Sequence, residues 1–116
     1  MKNFDFYEAE RYLELRLYPQ AFEAFMSLEE GSNERTYLMP CKMVMNNQLT
    51  PAQLDILVQD LEREVRNSNP RAIFNYGLVM EHTGNQAKAI QLLQLAMDLG
   101  VPEGRAALSR LLMKGA

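Results

Sequence analysis

The punctuation of this chain constrains its fold more than any other feature. Stretches of good helix formers are cut at intervals of about 10–17 residues by Pro, Gly, Ser, Thr or Asn, placed where helices begin and end. No window alternates apolar and polar residues for long, and Leu, Ala, Met, Glu and Gln are abundant, so strands are not expected. Helices are predicted over about 4–17, 19–30, 34–46, 51–66, 70–83, 86–99 and 102–114, joined by short connections that favour antiparallel hairpins. The start at 51 is the best marked. Thr50 is placed as N-cap, Pro51 at the first helical position, and Gln53 completes a capping-box pattern. Leu54, Leu57, Val58, Leu61 and Val65 then fall on one stripe that a core would bury. Ser68 or Asn69 can cap the helix opening at Pro70, Gly84 stands at its left-handed end, Asn85 can cap the next, and Gly100 ends that one. Pro40 lies inside 34–46, where its missing N–H and its ring predict a kinked or short helix.

An all-α chain of 116 residues and 13.3 kDa, 47% hydrophobic, fits one domain over 1–116. Folding at this mass hides about two thirds of the unfolded chain's surface, so neither metals nor disulfides are required. Cys41 is the sole cysteine and can form no internal disulfide. A net charge of −3 and a pI near 5.2 argue against a nucleic-acid binder, whose affinity would rest on clustered Lys and Arg. The N-terminus reaches Asp5 and Glu8 before any apolar run, and no stretch of 18 apolar residues occurs, so neither a signal peptide nor a membrane span is expected. The expected location is the cytoplasm. Charge is graded along the chain: residues 1–35 hold four basic and eight acidic side chains, and residues 70–116 five and three.

Spacing carries a further signal. Counted from Gly77, Met80 follows at +3, Gly84 at +7, Ala89 at +12, Leu93 at +16, Ala96 at +19 and Pro102 at +25. This pattern resembles the tetratricopeptide repeat, in which small residues let paired helices approach, bulky ones fill the space beside them, and a Gly lies between the helices. Two of that family's 34-residue periods earlier stand Ala9, Tyr12, Ala21, Phe25 and Leu28, with Arg16 where Gly84 would be. A strict 34-residue step from Ala9 lands on Met43, Asn46, Asp55, Gln59 and Glu62, which fits only with a register slip or an insertion of one to three residues around Asn46-Asn47-Gln48. The segment from Ala72 through Tyr76-Gly77, Lys88-Ala89, Gly100, Gly104, Leu108-Ser109 and Leu112 to Gly115 is also similar to Sel1-like repeats. Either resemblance implies a short right-handed solenoid of antiparallel helix pairs, with repeats starting near residues 2, 36 and 70 and a closing helix near 104.

In tetratricopeptide proteins the first helix of each pair lines a concave groove that receives peptides. The resemblance therefore implies partner-binding positions at Phe6, Glu10, Leu13 and Glu14 in the first repeat, and at Arg71, Phe74, Leu78, Glu81 and His82 in the third. The family's chaperone cofactors clamp a terminal carboxylate with Lys and Asn. Phe6, Glu10, Phe74 and Leu78 occupy those places here, which favours an apolar groove with acidic rims suited to an amphipathic helix. The expected function is a non-catalytic adaptor or chaperone, of the kind that serves bacterial export systems. A second reading is an immunity protein that binds a folded toxin or effector enzyme. Self-association into a homo-oligomer is compatible with both. No cofactor, metal site or catalytic residue is expected: His82 has no acid–base partner at a meaningful spacing, Cys41 has no Cys-x-x-Cys companion, and Glu62 with Glu64 or Glu29 with Glu30 point apart on a helix. Seven of the eight methionines lie in predicted helices, as core filling or as an adaptable binding surface.

Overall fold

The computed structural model describes residues 6–27 and 35–114. Over these the chain forms seven α-helices and no strand: α1 Phe6–Glu14, α2 Tyr18–Met26, α3 Arg35–Met45, α4 Pro51–Arg66, α5 Pro70–His82, α6 Gln86–Asp98 and α7 Glu103–Lys114. The first two positions of the helix expected over 4–17, the end of the one expected over 19–30 with Leu28, Glu29 and Glu30, and Gly115 lie outside the described residues. The chain divides into two compact units, Met1–Leu57 and Val58–Ala116, with the boundary inside α4.

Local chemistry sets the helix ends. Thr50 and Gln53 form the capping box: the Gln53 N–H donates to Thr50 Oγ1 at 3.2 Å and the Thr50 N–H to Gln53 Oε1 at 2.9 Å. Asn69 and Asn85 cap α5 and α6 by accepting from the N–H of Ala72 at 3.4 Å and of Lys88 at 3.2 Å. Among the described residues, five helices close in one way. At Arg16, Asn47, Ser68, Gly84 and Gly100 φ is positive, the N–H of that residue reaches the carbonyl three back, and the next N–H reaches the carbonyl five back. For α1 these bonds are Arg16 to Leu13 at 3.0 Å and Leu17 to Tyr12 at 2.9 Å.

Only two of the five are glycines. The left-handed conformation costs other residues about 1 kcal/mol or more, so the paired hydrogen bonds hold Arg16 and Ser68 in place. Arg16 adopts the left-handed backbone conformation also found at Gly84 without being a glycine. Replacing Arg16 by Gly is expected to raise stability by about 0.5–1 kcal/mol, and Gly84→Ala to lower it by about 1 kcal/mol, as read from urea midpoints. Unchanged midpoints in both would contradict this account of the helix ends.

The connection after Asn47 is longer than those after Arg16 and Gly84. The interval from Arg16 to Asn47 is shorter than the interval from Asn47 to Gly84. Helix α4 also starts four positions after Asn47, whereas α2 and α6 start two after Arg16 and Gly84. Helix α3 runs through Pro40 for 11 residues, with Pro40 and Cys41 fully buried. Pro40 has no N–H for the Thr36 carbonyl, yet the helix is neither short nor interrupted. Burial pushes the Cys41 thiol up, which leaves it in the unreactive thiol form.

In the first unit α1 packs on α2, and α2 on α3. Phe6, at the start of α1, meets Phe25, near the end of α2, edge to face with ring centroids 5.7 Å apart, so the two helices are antiparallel. Ala9, Ala21, Ala24 and Phe25 are fully buried there. In the second unit α6 is flanked by α5 and α7. A Cβ on Gly77 would stand 2.9 Å from Cγ and Cδ2 of Leu93, and one on Gly104 would stand 3.1 Å from the Leu93 carbonyl oxygen. Both neighbours thus approach α6 through a glycine, and the fully buried Ala89, Leu93 and Ala96 complete the seam.

Along α4, Leu57 and Leu61 are fully buried, while Leu54, Val58 and Val65 are half-buried. Glu64 is buried as well and accepts from Asn69 Nδ2 at 2.8 Å. A polar cluster ties the end of α4 to α5 and α6. The Tyr76 hydroxyl donates to the Glu62 carboxylate, and Lys88 bonds the same carboxylate with its ammonium 5.2 Å from the Tyr76 ring centroid. Lys88 first, then the Tyr76 hydroxyl, holds the Glu62 carboxyl below the usual range, and Glu62 raises the Lys88 ammonium. Burial and the bond to Glu62 raise the Tyr76 phenol. With a lowered folded-state value, Glu62 contributes its stability fully above the ordinary carboxylate pKa of about 4.3 and loses it as pH falls through the lowered value. Both charges are partly exposed, so the contribution is about 1 kcal/mol or less. Glu62→Gln is expected to lower stability at pH 7 and to flatten the loss between about pH 5 and 3. An acid limb of unchanged slope would contradict this assignment.

Candidate protein-binding face

Asn69 and Pro70 fix the start of α5. From there Arg71, Phe74, Leu78, Glu81 and His82 fall within about 100° of arc on the helix. The α5 stripe that carries Ile73, Gly77 and Met80 is buried instead, with Gly77 against Leu93 of α6. Arg71, Phe74, Leu78 and Glu81 are half-buried and His82 is exposed.

Two ion pairs bracket this face. The Arg71 guanidinium bonds Glu103 at the start of α7, and the Glu81 carboxylate bonds Arg110 further along α7. Start pairs with start, so α5 and α7 run in the same direction. Phe74 and Leu78 lie between the bracketing residues on α5, and the exposed Ala106 lies between Glu103 and Arg110 on α7. The result is an apolar strip closed at each end by a charge pair. Arg71 holds the Glu103 carboxyl below the usual range. Because the Glu81 carboxylate is engaged by Arg110, the rim here is two neutral pairs, which differs from the acidic rim expected from sequence.

In the first unit the candidate residues are arranged otherwise. Phe6 is half-buried with its ring on Phe25, Glu10 and Leu13 are half-buried, and Glu14 is exposed. Glu10 and Glu14 line a shallow hollow of about 530 Å³ together with Tyr7, Arg11 and Leu15. The structure thus brings Arg71, Phe74, Leu78, Glu81 and His82 onto one face of α5, and sets Glu10 beside Glu14 on α1.

Sequence reasoning missed Glu103, Ala106 and Arg110 of α7. A signal was present, since Pro70-Arg71-Ala72 and Pro102-Glu103-Gly104 are corresponding triplets that carry opposite charges. The methionines divide: Met43 and Met80 are buried, Met26, Met39, Met45 and Met97 half-buried, and Met113 exposed. Among the described residues no group of three or more His, Cys, Asp or Glu side chains is placed to hold a metal ion, and no helix is long and apolar enough to cross a membrane. No protein-family model, curated protein or solved structure matches the chain.

Proposed function

We propose that this chain is a non-catalytic, cytoplasmic protein-binding module, a short right-handed solenoid of tetratricopeptide-like or Sel1-like helix pairs that acts as an adaptor or chaperone. Its α5 face holds an amphipathic helical segment of a partner. The observation that carries this reading is the strip of Phe74, Leu78 and Ala106 between the Arg71–Glu103 and Glu81–Arg110 pairs. The rise along α5 from Arg71 to Glu81 is about 15 Å, which matches roughly three turns of a bound helix presenting anchors at i, i+3 or i+4, and i+7. The bracketing pairs stand at the surface, where water screens them, so they mark the ends of the strip rather than stabilise it. The solenoid reading is supported by the shared conformation of Arg16 and Gly84, two repeat periods apart, and by α5 and α7 running parallel with α6 between them.

The test is capture of partners from the native host with the tagged chain and with a Leu78→Glu variant of equal helicity. A partner that is unstable alone, held by the unaltered chain and lost from the variant, is expected for a chaperone. Equal recovery by both would remove the α5 face from the account. Recovery of a folded enzyme whose activity falls on binding would mark an immunity protein instead.

A further inference from the structure

The described methionines differ widely in how far they reach solvent. Met43 and Met80 are buried, the others in α2, α3 and α6 are half-buried, and Met113 in the last turn of α7 is 79% exposed. Helix α7 joins the core through Gly104, Ala107, Leu108 and Leu111, and the Met113 side chain takes no part in that packing. It is a large apolar group that the fold leaves in water, and the described thioether most open to an oxidant.

The place of Met113 on α7 gives that exposure a use. Met113 follows Ala106 by seven residues, so the two fall within about 20° of each other around the helix, and it follows Arg110 by three. Ala106 belongs to the strip between the Arg71–Glu103 and Glu81–Arg110 pairs. Met113 therefore continues the strip about 4.5 Å past Arg110 along α7. A helix held by Phe74, Leu78 and Ala106 meets Met113 one turn further on, where a flexible, polarisable side chain adapts to the anchor it receives.

We propose that Met113 is a modification site that governs this face: hydrogen peroxide converts its thioether to the sulfoxide, and the partner helix is then held less tightly. The proposal rests on the reading of the strip as a helix-binding face. A sulfur lone pair attacks one peroxide oxygen, and the S–O bond forms as the O–O bond breaks. Sulfur is oxidised by two electrons, and the proton on the transferred oxygen passes to the departing hydroxide, which leaves as water. The product is polar and must lose its hydration to face an apolar anchor. The fold is untouched, because the side chain already stands in water.

The full chain, treated with hydrogen peroxide and then freed of it, tests this in two readouts. Peptide mass spectrometry should find Met113 oxidised at least about tenfold faster than Met43 and Met80, with helicity and the urea midpoint retained. The binding probe is a synthetic amphipathic helix of about 18 residues, with Leu at i, i+4, i+7 and i+11 and Ala, Glu, Lys and Gln elsewhere, followed by fluorescence anisotropy. Its dissociation constant should rise about fivefold or more on oxidation of the unaltered chain, and stay unchanged for Met113→Leu carried through the same treatment. Met113 oxidised no faster than Met80 would overturn the proposal. So would a dissociation constant that is indifferent to the sulfoxide, or one that rises equally in Met113→Leu. Failure of the strip itself has a different pattern: a peptide that the untreated chain does not bind, or that Leu78→Glu binds equally well, removes the face and with it the role given to Met113.

Discussion

Replacing Gly77 by Val is expected to lower stability by about 3 kcal/mol, with a fall in Tm of about 10–15 °C. The first added carbon already lies 2.9 Å from Cγ and Cδ2 of Leu93 and 3.5 Å from Cβ of Leu92. Leu93 is fully buried and has no open side to retreat into, so α5 must lift from α6 or Leu93 must leave its rotamer. Opposing this is the relief of replacing glycine in a helix interior, worth about 1 kcal/mol for Ala and less for a β-branched residue. For Gly77→Ala the two effects are comparable, and a loss of about 1 kcal/mol or less is expected. For Val the overpacking wins. A Gly77→Val, Leu93→Ala double variant should recover part of the loss, because the partners share one volume and their effects do not add. Urea unfolding of the four chains measures this. A Gly77→Val chain as stable as the unaltered one would contradict the close seam between α5 and α6.

The second large effect concerns binding. Phe74→Glu with Leu78→Glu is expected to weaken capture of the partner at least a hundredfold while leaving the chain helical. Loss of a central apolar anchor typically costs about 2 kcal/mol or more, and a carboxylate placed there must also be desolvated. Both side chains are half-buried, so neither substitution forces a charge into the packed seam behind them, which is formed by Gly77, Leu93 and Ala89. The ion pairs provide an internal comparison. Arg110→Ala breaks a partly exposed pair and should weaken binding only a few-fold. If Arg110→Ala costs as much as the double Glu variant, the charges rather than the apolar strip carry recognition. Titration of the recovered partner against each variant distinguishes the two.

Most of the helical framework was legible because its signals are local. Thr50 with Gln53, Asn69, Asn85, Gly84 and Gly100 act on their near neighbours along the chain, and each does in the structure what its chemistry predicts. The left-handed Arg16 and Ser68 were not legible, because the conformation is imposed there by two backbone hydrogen bonds and not by the residue. Pro40 pointed to a kinked or short helix because its local propensity carries no information about packing, whereas the fully buried ring is held by its surroundings. The Glu62–Tyr76–Lys88 cluster joins three different helices, at separations that no periodicity marks. On the candidate face, the α5 positions were given only by the resemblance to tetratricopeptide repeats. What α7 adds to it, Glu103 and Arg110 reaching back to Arg71 and Glu81, depends on which helices are neighbours in space.

The central claim is that a partner lies along the α5 strip, and site-specific photocrosslinking tests it most directly. A photoreactive phenylalanine analogue at position 78 and another at position 94, where Gln94 is exposed on α6, would each be irradiated with the recovered partner. Crosslinks from position 78 and none from position 94, mapping to one face of a helical segment of the partner, are the predicted result. Crosslinks from position 94 with none from position 78 would place recognition elsewhere and contradict the account.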